Sequence, residues 1–323
     1  MKTCDTNTSD KHLHIIGKTN LVYLKRMCER RMGQAVAKSI VERCMQDTIY
    51  QPPPTSYQKA SVHFVKSVRG DRLALRCVSP SRSSMSLHSP YTDSRPVVLY
   101  SHGNATDLGG CHEVCECIAG MLDAHVIVYD YPNYGASSKT RMSESVLNSS
   151  IEAVYSRCCE IGIPPTKLIL IGQSLGSVPT LFLASRVYAK YSAIVLISPL
   201  ASAFRAALDD NYKHVPSYIM TKLDAVLFDN IKAIQNIHAP VAIVHGFADD
   251  VIDISSAELL HSNIPQRFQY SPLYISAGHN DIYDQDNLAD VAVYLKRFIT
   301  ASSKPPTITS SDALPDQPQL PPS

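Results

Sequence analysis

One serine stands between two glycines in Gly172-Gln173-Ser174-Leu175-Gly176, directly after the apolar run Leu168 to Ile171 and before Leu181, Phe182, Ala184 and Ser185 at helical spacing. Strand, sharp turn and helix in that order lift a serine hydroxyl to a strained apex clear of the sheet. A Cβ at 172 or 176 would make strand and helix collide around Ser174, so both positions must be small. A serine hydroxyl attacks poorly until an imidazole takes its proton, so a base must lie elsewhere in the chain. Ala277-Gly278-His279-Asn280-Asp281 supplies one, just past the last apolar strand, and His245-Gly246-Phe247-Ala248-Asp249 supplies a carboxylate past the strand before it. The roles that follow are Ser174 as nucleophile, His279 as general base and then acid, and Asp249 as the group that fixes the imidazole tautomer. Asp250 and Asp253 compete with Asp249, which is favoured because it falls four residues after His245 at a strand end. Acyl transfer of this kind also needs two amide donors for the oxyanion. They are expected from the N–H of Leu175 and from Ser101-His102-Gly103-Asn104-Ala105, where the N–H of Asn104 is the favoured donor.

The elements that must position these groups alternate as in an α/β protein. Strands are expected at Ser61 to Lys66, Arg72 to Val78, Pro96 to Ser101, His125 to Asp130, Lys167 to Gly172, Ala193 to Ile197, Val241 to His245 and Pro272 to Ser276. The first two form a hairpin around Arg69-Gly70-Asp71. Continuous apolar runs such as Ile194-Val195-Leu196-Ile197 mean strands covered on both faces, hence a mostly parallel eight-stranded sheet flanked by helices. Helices are expected at Leu108 to Asp123, Ser143 to Ile161 and Gln285 to Ile299, with a small flap rather than a large lid in the stretch between Ile197 and Val241. Ser79 to Arg95, rich in serine, reads as a flexible surface loop.

Composition narrows the function classes. A net charge of +1 gives no field for nucleic acid, and nine scattered cysteines fit a reducing cytoplasmic setting. No stretch reads as a signal peptide or a transmembrane helix. Cys111, Cys115 and Cys117 with His112 resemble a zinc set, yet their helical spacing fits core packing better. No metal or cofactor is implied, since no Walker loop, dinucleotide fingerprint or HExxH occurs. The chain divides into a polar N-terminus and basic amphipathic helix (1–46), one hydrolase-type domain (47–300) and a Pro/Ser-rich tail (301–323) expected to be disordered. Within residues 19–46 the stripe Leu21, Leu24, Cys28, Met32, Val36, Ile40 and Cys44 is bordered by Lys25, Arg26, Arg30, Arg31, Lys38 and Arg43. Such a helix fits peripheral contact with an anionic membrane, with Cys28 or Cys44 available for acylation; the alternative is a stripe packed on the domain.

Four segments together carry a family likeness: Ser101-His102-Gly103-Asn104-Ala105-Thr106-Asp107-Leu108-Gly109, Tyr129-Asp130-Tyr131-Pro132-Asn133-Tyr134-Gly135-Ala136-Ser137-Ser138, Gly172 to Gly176, and Gly278-His279-Asn280-Asp281. Residues 47–299 resemble the alpha/beta-hydrolase domain-containing protein 17 group, close to the Bem46-like serine hydrolases. The resemblance implies the alpha/beta-hydrolase fold, cleavage of palmitoyl thioesters on membrane-associated proteins, and a triad at Ser174, Asp249 and His279. The group's dense N-terminal cysteine cluster is replaced here by the separated Cys4, Cys28 and Cys44, and the Ser79 to Arg95 loop is longer. The expected substrate is thus an S-acylated protein. A lipid ester or lysophospholipid is the alternative, and a catalytically inactive binding fold is a third reading.

Overall fold

The computed structural model describes Val36, Lys38, Ser39 and residues 41–43, 49–59, 62–81, 83–186, 190–208 and 215–303. The expected N-terminal helix before residue 36, Cys4, Cys28 and Cys44, and the tail beyond residue 303 lie outside the described residues. Of the described residues between 36 and 43, three engage the domain while Val36, Ser39 and Arg43 are exposed: Val41 is buried, Lys38 Nζ donates to Glu144 at 2.6 Å, and Glu42 accepts from the Glu144 N–H at 3.1 Å.

Eight strands form one sheet: His63–Lys66 (β1), Arg72–Val78 (β2), Val97–Ser101 (β3), His125–Tyr129 (β4), Leu168–Gln173 (β5), Ala193–Ile197 (β6), Val241–Gly246 (β7) and Leu273–Ile275 (β8). Their order is β1-β2-β4-β3-β5-β6-β7-β8; β2 is antiparallel to both neighbours and every other pair is parallel. This is the mostly parallel sheet that the apolar runs imply. Alternation within the strands is double-sided: Leu99, Leu170, Leu196 and Ile243 face one core, while Tyr100, Ile171, Val195 and Val244 face the other. Helices His112–Leu122 (α1) and Gln285–Ser302 (α8) cover the second core through Cys115, Ile118, Val291, Leu295 and Phe298. Glu144–Glu160 (α2), Ser177–Ala184 (α3), Asn230–Ile234 (α6) and Ser255–Asn263 (α7) cover the first. Pro179 is tolerated in α3 because it falls in the first turn, where an amide hydrogen has no helical acceptor. Between β6 and β7 the described flap carries only the short Ala203–Leu208 (α4), Ser217–Asp224 (α5) and α6.

Two helix boundaries depart by three or more residues from the pattern in the sequence, and one segment differs in character. Helix α1 starts four residues later than Leu108, because the Asp107 carboxylate accepts from the N–H of Gly109 and Gly110 and turns the chain before the helix begins. Helix α8 runs three residues past Ile299. The described residues of the 79–95 segment have no regular structure but are pinned rather than loose. Leu87 is buried in the core, Arg157 donates to its carbonyl, and the Tyr91 N–H donates to Ile161 O at 2.6 Å. Ser79 Oγ donates to His125 Nδ1 at 2.8 Å and His125 Nε2 donates to Asp93 at 2.9 Å, which ties both ends of the segment to the start of β4. Cys111 and Cys115 are buried in the packing of α1 on the sheet.

A Cβ on Gly176 would stand 2.0 Å from the carbonyl oxygen of Ser101, whereas one on Gly120 of α1 would meet nothing within 4 Å. Gly176→Ala is therefore expected to lose at least about 3 kcal/mol in urea unfolding. Gly120→Ala is expected to gain roughly 0.5–1 kcal/mol in the same measurement.

Candidate active site

The turn after β5 is built by exclusion. A Cβ on Gly172 would lie 2.6 Å from Gly176 O, and one on Gly176 would meet the backbone of both Ser101 and His102. With no side chain at either position, α3 leaves the sheet at close quarters and the residue between them is forced into the left-handed region. Ser174 has φ of 50°. Such a backbone costs about 1–3 kcal/mol and persists only where the surroundings over-determine it. Here they do: strand pairing sets Ser101 opposite Gly172 and Gln173 opposite Ile197, and the Tyr100 hydroxyl donates to the Gln173 side chain.

His279 and Asp249 arrive from two loops at the same sheet edge. The Phe247 N–H donates to Ile275 O at 2.8 Å and the Ala248 N–H to Ala277 O at 3.0 Å, so the β7–β8 pairing continues beyond the strands and staples one loop to the other. His279 Nδ1 then lies 2.7 Å from Asp249 Oδ2, and His279 Nε2 lies 2.9 Å from Ser174 Oγ. A carboxylate only accepts, so Nδ1 carries the hydrogen and Nε2 presents its lone pair to the serine hydroxyl. All three side chains are buried or nearly so. Asp249 Oδ1 accepts from the N–H groups of Val251 at 3.0 Å and Ile252 at 2.8 Å. Burial alone would raise its pKa, but hydrogen bonds from His245, His279 and Ile252 overcome that and hold the carboxyl well below the usual range. Of the competing acids, Asp250 is exposed, and Asp253 accepts from the Ser255 N–H at the start of α7.

The Ser101–Ala105 loop runs against the elbow. A Cβ on Gly103 would lie 3.6 Å from Ser174 Cβ, and Leu175 follows Ser174 in a single 3-10 turn. Asn104 is fixed from three sides: its side chain donates to Ile49 O at 2.8 Å and accepts from the Gln51 N–H at 3.0 Å and the Tyr134 hydroxyl at 2.6 Å. The sequence singled out Asn104 and Leu175 but missed what holds this loop. Asp130, at the end of β4, is fully buried and accepts from the Leu108 N–H at 3.0 Å and from the Tyr57 hydroxyl. Its Oδ1 also lies 3.4 Å from His102 Nε2. Burial alone would depress the proton affinity of His102; the Asp130 carboxylate and the Gly103 carbonyl outweigh it and raise the pKa. The signal for Asp130 was a lone carboxylate ending an apolar strand before Tyr131-Pro132, a place where an ionised group must find buried partners.

A family model for the alpha/beta hydrolase fold matches residues 96–226. Alpha/beta hydrolase domain-containing protein 17C of Xenopus tropicalis is 39% identical over 212 residues, covering 64% of this chain and 62% of that protein. The Mus musculus 17C protein is 36% identical over 247 residues, 74% of this chain and 67% of its own length. The human 17B protein is 36% identical over 221 residues, 68% of this chain and 69% of its own length. The chain thus spans about two thirds of the relatives it matches, and slightly less for the frog protein. Among solved structures, the Pyrococcus furiosus esterase Pf2001 superposes with a TM-score of 0.57 over 78% of this chain and 100% of that one, at 13% identity. The Rhodococcus esterase RhEst1 gives 0.52 over 75% and 100%, at 15% identity. At that identity the likeness concerns the fold.

With Asp249 held ionised far below neutrality, the carboxylate contributes no change between pH 5 and 8. Asp249→Asn should keep KM while lowering kcat by about 10³–10⁴, measured by steady-state hydrolysis, because the amide cannot hold the Nδ1–H tautomer.

Proposed function

This chain belongs to the alpha/beta-hydrolase family, in the alpha/beta hydrolase domain-containing protein 17 group, and from that premise we propose that it is a serine hydrolase of acyl thioesters that removes acyl groups from S-acylated proteins. The observation that carries the reading is the unbroken relay from Ser174 Oγ through His279 to Asp249, at 2.9 and 2.7 Å.

In the proposed reaction Ser174 Oγ attacks the thioester carbonyl while His279 Nε2 takes its proton. The imidazolium is stabilised by Asp249, and the oxyanion is received by the N–H groups of Leu175 and Asn104. Collapse expels the cysteine thiolate. With a thiol pKa of about 8.5 it leaves far more readily than an alkoxide, and His279 returns the proton. Water activated by the same imidazole then attacks the acyl-enzyme, freeing the carboxylate and restoring Ser174. The small flap favours a bulky substrate. Among the described residues between β6 and β7 there are only short helices and no separate lid domain, which suits an acyl chain still joined to a protein, and Phe247 and Val251, two residues to either side of Asp249, are exposed apolar side chains.

Peripheral membrane contact, expected of residues 19–46, is part of the proposal; with Lys38 and Val41 engaged on the domain it falls on the residues before 36, where basic residues border an apolar stripe in the sequence. Among the described residues no helix is long and apolar enough to cross a membrane.

Turnover of an S-palmitoylated peptide and of a lysophospholipid, measured side by side, should favour the thioester by at least about tenfold in kcat/KM and should vanish in Ser174→Ala. A preference for the lysophospholipid would move the assignment to lipid esters. Removing residues 1–35 should weaken sedimentation with phosphatidylserine vesicles while leaving peptide turnover in solution intact; equal binding by both chains would remove the membrane contact from this segment.

A further inference from the structure

Asp249 lies between two imidazoles, and the relay uses only one of them. We infer that His245 is a positioning residue for the reaction: its Nε2–H, shared between Ile252 O and Asp249, holds the carboxylate in the orientation that His279 requires. The inference rests on the hydrolase reading above and extends it by one residue.

His245 sits near the end of β7 and is fully buried. Its Nε2 lies 2.8 Å from the carbonyl oxygen of Ile252 and 3.3 Å from Asp249 Oδ2. A carbonyl oxygen can only accept, so Nε2 carries a hydrogen and the tautomer is settled by geometry. Nδ1 meets no hydrogen-bond partner among the described residues, which leaves Nε2 as the working atom. Ile252 is engaged twice, since its N–H donates to Asp249 Oδ1 at 2.8 Å while its carbonyl accepts from His245. The ring, the Ile252 peptide groups and the carboxylate therefore close a circuit that folds the loop back on β7.

That circuit governs where Oδ2 points. Oδ1 is fixed by the two backbone N–H groups of Val251 and Ile252, and Oδ2 is left to the two imidazoles. With both ring donors in place Oδ2 faces His279 Nδ1 at 2.7 Å. Without the donor of His245, the buried carboxylate keeps one side-chain partner instead of two and binds a proton more readily. Consistent with this, His245 leads the hydrogen bonds that offset the burial of Asp249. A histidine that merely filled the core would affect stability and leave the reactivity of Ser174 alone.

The test compares His245→Gln, whose amide nitrogen reaches about as far as Nε2, with His245→Phe, which fills the space and donates nothing. The readout is the second-order rate of Ser174 labelling by a fluorophosphonate from pH 5 to 9, on protein shown folded by circular dichroism. The proposal expects His245→Phe to label about tenfold more slowly or worse, with its acid limb moved to higher pH, while His245→Gln stays within about threefold of wild type with the limb in place. If His245→Phe does not fold, His245→Leu takes its place. A folded apolar variant that labels within twofold of wild type with an unmoved limb overturns the proposal, and so do Gln and apolar variants that are equally slow. Failure of the wild type itself to label would instead overturn the hydrolase reading on which the proposal rests.

Discussion

The carbonyl oxygens of Ser101 and His102 stand where any side chain at position 176 would have to be. The proposed chemistry depends on that close approach. It lets α3 leave β5 without a loop, forces Ser174 into left-handed backbone, and brings the 101–105 loop within van der Waals reach of the same serine. The strain is local and the restraint is global: parallel pairing of β5 with β3 and β6, and two apolar cores above and below, leave the turn no relaxed alternative.

The chain also contains a second serine–histidine–aspartate contact, which shows what hydrogen bonding alone does. Ser79, His125 and Asp93 are joined at 2.8 and 2.9 Å, distances as short as those of the relay at Ser174. Yet Ser79 has no positive φ, its hydroxyl also accepts from the Met85 N–H, and its partners lie where β4 begins rather than where the parallel strands end. That arrangement ties down a long connection. Distances in a triad therefore carry little meaning without the strained apex, the adjoining glycine-lined loop and the helix that starts behind it.

Some of this was legible in the residues. Alternating and continuous apolar runs gave the eight strands to within a residue or two wherever they are described, because burial on both faces leaves an unmistakable pattern. Gly172, Gly176 and Gly278 were readable because each position forbids a side chain for a steric reason or sits beside a polar group at a strand end. What stayed hidden depends on partners distant in sequence. Asp130 meets Tyr57, Leu108 and His102, and nothing local announces that it clamps the loop beside Ser174. The 79–95 segment looked loose because serine dominates it, while Leu87, Tyr91 and Asp93 are enough to pin it. Helix α1 was expected too early because Asp107 diverts the amides that would have begun it.

The central claim is that Ser174 carries the acyl group through the reaction. Acid quenching during turnover of a p-nitrophenyl acyl ester, followed by proteolysis and mass spectrometry, tests it directly. The account predicts one acyl group per chain on the peptide that contains Ser174, formed more slowly when His279 is replaced by Ala. Hydrolysis that proceeds with the acyl group on another residue, or with undiminished rate once Ser174 is replaced by Ala, would contradict it.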